Sequence, residues 1–77
     1  MDQEIVKIRQ GELFITLNIL LKITGEISTG GQAKYFLQTT RVLVNGEEEN
    51  RRGRKLYPGD EVVVGNTRYL IQWLSKT

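Results

Sequence analysis

The sequence predicts an α+β domain in which a two-helix hairpin packs on a small, mostly antiparallel sheet of four to five strands. Three observations carry that expectation. Between Thr16 and Arg41 the apolar residues recur at helical spacing and are bracketed by capping signals. From Val42 onward the spacing becomes that of strands, with Asn45-Gly46, Pro58-Gly59 and Gly65-Asn66 as turn dipeptides. And 77 residues, 39% of them hydrophobic, suffice for one packed domain spanning 1–77 with no room for a second.

Taken in chain order, Glu4 to Arg9 alternates weakly and is β-branched, which reads as a short strand, with Gln10, Gly11 and Glu12 as its turn. Thr16 suits the N-cap of a first helix running from Leu17 to Thr24. There Leu17, Leu20, Leu21 and Thr24 recur at i, i+3, i+4 and i+7, and Gly25 stands where a left-handed C-cap belongs. Thr29-Gly30-Gly31-Gln32 has the form of a capping box opening a second helix. Its inward stripe is Ala33, Phe36, Leu37 and Thr40, while Lys34, Gln38 and Arg41 share a polar, doubly basic face.

Val42, Leu43 and Val44 then lead into Asn45-Gly46, whose residues tolerate the positive φ of a type I′ hairpin, and a return strand runs from Glu47 to about Asn50. Pro58-Gly59 suits the centre of a type II turn. Gly65-Asn66 joins Glu61–Val64 to Thr67–Trp73 in a last hairpin.

The residue inventory narrows the chemistry. With no Cys and no His, the chain lacks thiolate nucleophiles, Cys-ligated zinc, the usual general base and the commonest metal ligand, which points away from an enzyme. Glu47, Glu48 and Glu49 with Asp60 do not make a metal site, because consecutive strand residues face opposite ways; they are expected to solvate the hairpin. No cofactor or metal is expected. The chain opens without a charged and then apolar leader and holds no long apolar run, so neither secretion nor membrane insertion is expected and the cytoplasm is the expected compartment.

The formal charge of +2 says little, but its distribution is uneven. Asn50 to Gly59 holds no acid, and Arg51, Arg52, Arg54 and Lys55 fall within five residues. Arginine forks match phosphate oxygens, and Gly53 lets the run bend so that neighbouring side chains converge. Gly30 and Gly31 expose helix-start amides to an anion, or else allow two elements to approach closely. Tyr35, beside the basic face of the second helix, is a candidate for stacking on a base. A protein-docking alternative would use Tyr69, Trp73 and the sheet edge. A duplex-DNA binder would use the same cations as an RNA binder.

The strings STGGQAKYFL and RVLVNGEEENRRGRKLYPGDEV, with helix start, VNG turn, basic loop and GD turn in that order, resemble the S4 RNA-binding domain over roughly Thr16 to Val63. The chain is most similar to the small free-standing bacterial S4-like proteins often encoded beside replication and recombination genes. The resemblance implies an α-L fold and a non-enzymatic module that recognises structured RNA, ribosomal or transfer RNA, and by extension the ribosome. It places the RNA-binding surface on Thr29, Gly30, Gly31, Gln32, Lys34, Arg41, Asn45, Arg51, Arg52, Arg54 and Lys55. Many S4 domains carry an arginine where this sequence has Gly30, so that contact is either missing or supplied by the basic loop.

Overall fold

A computed structural model describes residues 2–74. Strand β1 (Asp2–Ile8) is followed by a two-residue strand β2 (Ile15–Thr16), helix α1 (Leu17–Ile23), a 3₁₀ turn (Gly30–Gln32) and helix α2 (Ala33–Thr39). Strands β3 (Val42–Val44), β4 (Glu47–Glu48), β5 (Lys55–Leu56), β6 (Glu61–Val64) and β7 (Thr67–Trp73) complete the chain. Five of them form one sheet in the order β1-β7-β6-β3-β4, antiparallel except for the parallel β1–β7 pair, while β2 and β5 form a separate antiparallel pair. Buried residues of both helices join those of the large sheet in a single core.

The cap signals act as their chemistry dictates. Thr16 Oγ1 accepts from Ile19 N–H at 3.3 Å, and Gly25 takes φ +83° just beyond the C-cap Thr24. At Asn45 and Gly46, φ values of 52° and 86° close the β3–β4 hairpin with two residues, pairing Val44 with Glu47 and Leu43 with Glu48. In the last hairpin only Gly65 has positive φ.

The core gathers Leu17, Leu20 and Leu21 from α1 with Ala33 and Leu37 from α2, over Val6, Ile8, Val42, Val44, Val62, Val64, Tyr69 and Ile71 of the sheet. Leu56 is fully buried as well, so the small β2–β5 sheet is tied into the same core.

Three expectations are corrected. The return strand stops at Glu48 rather than Asn50, because the chain turns at the basic loop. The second helix opens as a 3₁₀ turn, in keeping with the low helix propensity of two consecutive glycines. Tyr69 is not available for docking: β1 pairs along the whole of β7, making β7 an interior strand, and Tyr69 is buried with its phenol pKa pushed up by desolvation. Trp73, on the same strand face, remains half-exposed at the strand end. No helix among the described residues is long and apolar enough to cross a membrane.

Candidate nucleic-acid interface

The basic loop is held from both ends. On its first side, Glu49 N–H donates to Val42 O at 2.9 Å, extending the β3–β4 ladder by one pair and turning the Glu49 side chain to the inward face that Val42 occupies. On its far side, Arg54 O accepts from Leu17 N–H and Arg52 O from Asn18 N–H, both at 2.8 Å. Those amides belong to the first turn of α1 and have no acceptor within the helix, so the basic loop serves as part of the α1 cap. The β2–β5 pair continues the attachment through Lys55 and Leu56.

Glu49 is the organising group. It is 8% exposed and the only buried charged residue among those described. Its carboxylate accepts from Arg51 Nε at 3.0 Å and Nη2 at 3.1 Å, from Arg51 N–H at 3.2 Å, and from Arg54 Nη1 at 2.7 Å. The Arg51 hydrogen bonds chiefly, and that of Arg54 after them, lower its pKa from 4.5 to about 2 against the opposing effect of burial. The expectation that all three acids of the hairpin are solvated therefore fails at Glu49, although Glu47 and Glu48 are exposed.

Between α2 and this loop lies an open groove of about 690 Å³, lined by Lys34, Leu37 and Gln38 on one side and by Asn50, Arg51, Arg52 and Gly53 on the other. Through Leu37, Gln38 and Asn50 it continues into a concavity of about 400 Å³ that includes Arg41 and Glu48. Through Arg51 and Gly53 it opens onto one of about 550 Å³ bounded by Arg54, Lys55, Tyr57 and Asp60. The six cations line these three depressions, together with the three carboxylates Glu48, Glu49 and Asp60.

Half of those cations are engaged within the molecule. Arg41 Nε lies 3.2 Å from Glu48 Oε1, and Arg51 and Arg54 share Glu49. Lys34, Arg52 and Lys55 form no ion pair among the described residues. Lys55 Nζ instead sits 5.0 Å from the Phe14 ring centroid.

The other sequence-predicted positions have structural occupations or lie elsewhere. Gln32 Oε1 accepts from Ser28 N–H at 2.6 Å and Thr29 N–H at 3.2 Å, so its side chain is spent on the helix entry. A Cβ on Gly30 would stand 3.2 Å from Asn18 Nδ2, which makes Gly30 a packing position against α1, whereas Gly31 faces open space. Asn45 donates to Asp60 Oδ1 at 3.1 Å and accepts from Glu61 N–H at 3.0 Å, tying two turns together. Tyr35 is exposed on the other flank of α2, where it lines a shallow depression with Glu26, Ile27 and Phe36.

Two groove residues escaped the sequence reading. Glu49 was only partly within reach: a two-residue turn at Asn45-Gly46 pairs 44 with 47 and 43 with 48 and so sets 49 opposite the inward Val42, but the same register sets the exposed Glu47 opposite the buried Val44, so face alone does not single out Glu49. Tyr57 carried no such signal, since the contact that places it comes from Phe14, far away in sequence.

A family model described as an S4 domain matches residues 6–72. A Bacillus subtilis (strain 168) protein named "Probable ribosome maturation protein RlbA" is 56% identical to this chain over 50 residues, which cover 65% of this chain and 70% of that protein.

Proposed function

The chain belongs to the S4-domain family, and on that premise we propose that it is a non-enzymatic module that binds structured RNA, ribosomal RNA in the first place, through the groove between α2 and the basic loop. The observation that supports the reading is that Lys34 of α2, Arg41 at the entry to β3, and Arg51, Arg52, Arg54 and Lys55 of the loop line three depressions that share residues with one another. Ribosomal RNA is favoured over transfer RNA because the relative bears a ribosome maturation name.

The chemistry is phosphate recognition. Glu49 occupies Nε and one terminal nitrogen of Arg51, leaving the remaining N–H donors of a fixed fork for a phosphate oxygen, and it holds Arg54 by one nitrogen only. Lys34, Arg52 and Lys55 add charge that no carboxylate of the described residues offsets. Such contacts fix position and register on a folded RNA and read its shape rather than its base sequence.

Salt dependence tests the reading. If only the three unpaired cations release counterions, log K against log salt falls with a slope of about −2 to −3; if all six do, the slope reaches about −4 to −5. The wild type binding a ribosomal RNA helix should fall within that range, and Arg51→Gln/Arg52→Gln/Arg54→Gln should lower the magnitude by about 1 in the first case, where only Arg52 of the three contributes, and by about 2 to 3 in the second. An unchanged slope would move binding off this groove. Competition by duplex DNA at equal mass, without loss to RNA, would overturn the choice of polymer.

A further inference from the structure

Tyr57 stands at the Lys55 end of the groove with nothing in the RNA-phosphate reading to account for it. It is 46% exposed, and its ring leans on Phe14 with centroids 5.7 Å apart and planes inclined by 50°. Phe14 is in turn overlaid by the Lys55 ammonium. The backbone is equally constrained: Tyr57 N–H donates to Asp60 Oδ2 at 2.8 Å, Asp60 N–H returns a bond to Tyr57 O at 2.9 Å, and the other Asp60 oxygen is taken by Asn45. The tyrosine is therefore buttressed on one side, fixed at its root, and open to a groove whose other walls carry Arg51, Arg54 and Lys55.

A half-open aromatic ring flanked by cations matches one component of RNA in particular. Bases inside a helix have their π-faces covered by neighbouring pairs, whereas a base in a bulge or loop presents a free face alongside its own phosphates. Resting on the phosphate-binding role assigned above, we infer that Tyr57 is the stacking platform for a single unpaired base whose flanking phosphates are held by Arg51, Arg54 and Lys55. The site makes the protein selective for helices interrupted by an extruded nucleotide, which phosphate contacts alone do not achieve.

Two RNA probes test this: a hairpin with an uninterrupted stem, and the same hairpin carrying one bulged 2-aminopurine. Wild-type protein should favour the bulged stem by roughly 5- to 150-fold, the range spanned by base–aromatic stacking, and should quench the 2-aminopurine emission at saturation. Tyr57→Leu should bring the ratio close to one, and Tyr57→Trp should preserve it. The quenching is measured on wild-type protein alone and so does not depend on how the variants fold. Salt-sensitive binding of both probes with a wild-type ratio near one, or a Leu variant that keeps the preference, would overturn the stacking site while leaving the phosphate surface intact. No binding to either probe would instead overturn the RNA reading, and the stacking site with it.

Discussion

Glu48 and Glu49 are neighbours in the chain, each paired with arginine, yet they belong to different physical regimes. The Glu48 and Arg41 side chains are 73% and 71% exposed and meet at 3.2 Å in water. The Glu49 side chain is 5% exposed and receives four hydrogen bonds from two arginines. An exposed pair gains little, because solvent screens the charges and two long side chains must be immobilised. A buried carboxylate cannot be left alone, since removal from water costs several kcal/mol unless hydrogen bonds replace the lost hydration. The pair at the hairpin edge is thus dispensable, while the one at the loop holds two arginines in place and anchors the segment that caps α1.

The contrast is broken most directly at Glu49. Glu49→Gln removes the charge that satisfies Arg51 and Arg54, and we expect a loss of about 1–2 kcal/mol in urea unfolding, less than for a fully enclosed pair because Arg51 is open to solvent. RNA affinity faces two opposing effects. Deleting a carboxylate beside the groove helps binding by under about 1 kcal/mol at physiological salt, whereas releasing two ordered arginines costs about 0.5–1.5 kcal/mol each on binding. The second effect is larger, so affinity should fall by about three- to tenfold. A rise in affinity would show that Glu49 merely competes with phosphate.

Acid provides the same perturbation without mutation. Because folding lowers the Glu49 pKa from 4.5 to about 2, the folded state binds fewer protons at this site than the unfolded chain does between those values. Its stabilisation is therefore complete above about pH 4.5 and is lost as pH falls toward 2. Unfolding free energies of wild type and Glu49→Gln from urea titrations at pH 6, 4 and 2.5 should converge by about 1–2 kcal/mol toward the acid end. A constant gap would mean that the carboxylate is not differentially ionised.

What the sequence revealed about these two regions follows the range of the interactions involved. Helix α1, its Thr16 and Gly25 caps and the Asn45-Gly46 hairpin were legible because each depends on residues within one turn of one another. The doubly basic face expected of α2 did not hold in the same way: the helix ends at Thr39 and Thr40 is extended, so of Lys34 and Arg41 only Lys34 lies on the helix and Arg41 stands at the entry to β3. The parallel β1–β7 pairing was not legible, since it joins opposite ends of the chain and no local turn encodes it. Its consequence, an interior β7 with no free edge for docking, was missed for that reason. The attachment of Arg52 and Arg54 carbonyls to α1 was equally hidden, because backbone acceptors leave no mark in side-chain composition. At the candidate interface, the cationic residues could be read, but their pairing could not be read from a count of charges. The count treats Glu48 and Glu49 alike.

The smallest effect is also the sharpest test of the comparison. Glu48→Gln breaks an exposed pair whose partner, Arg41, loses no burial and keeps its hydration, so unfolding free energy should change by no more than about 0.5 kcal/mol. Arg41 meanwhile becomes available to the groove it lines, and one like charge leaves the path of an approaching phosphate. Both changes act in one direction, and affinity should rise about two- to threefold, the equivalent of that same half kcal/mol. The gain should shrink as salt is raised, because both groups lie in solvent. Adjacent substitutions of identical chemistry would then shift RNA binding with opposite signs. Matching signs at 48 and 49 would mean that burial does not separate the two carboxylates in function, and that net charge alone governs the surface.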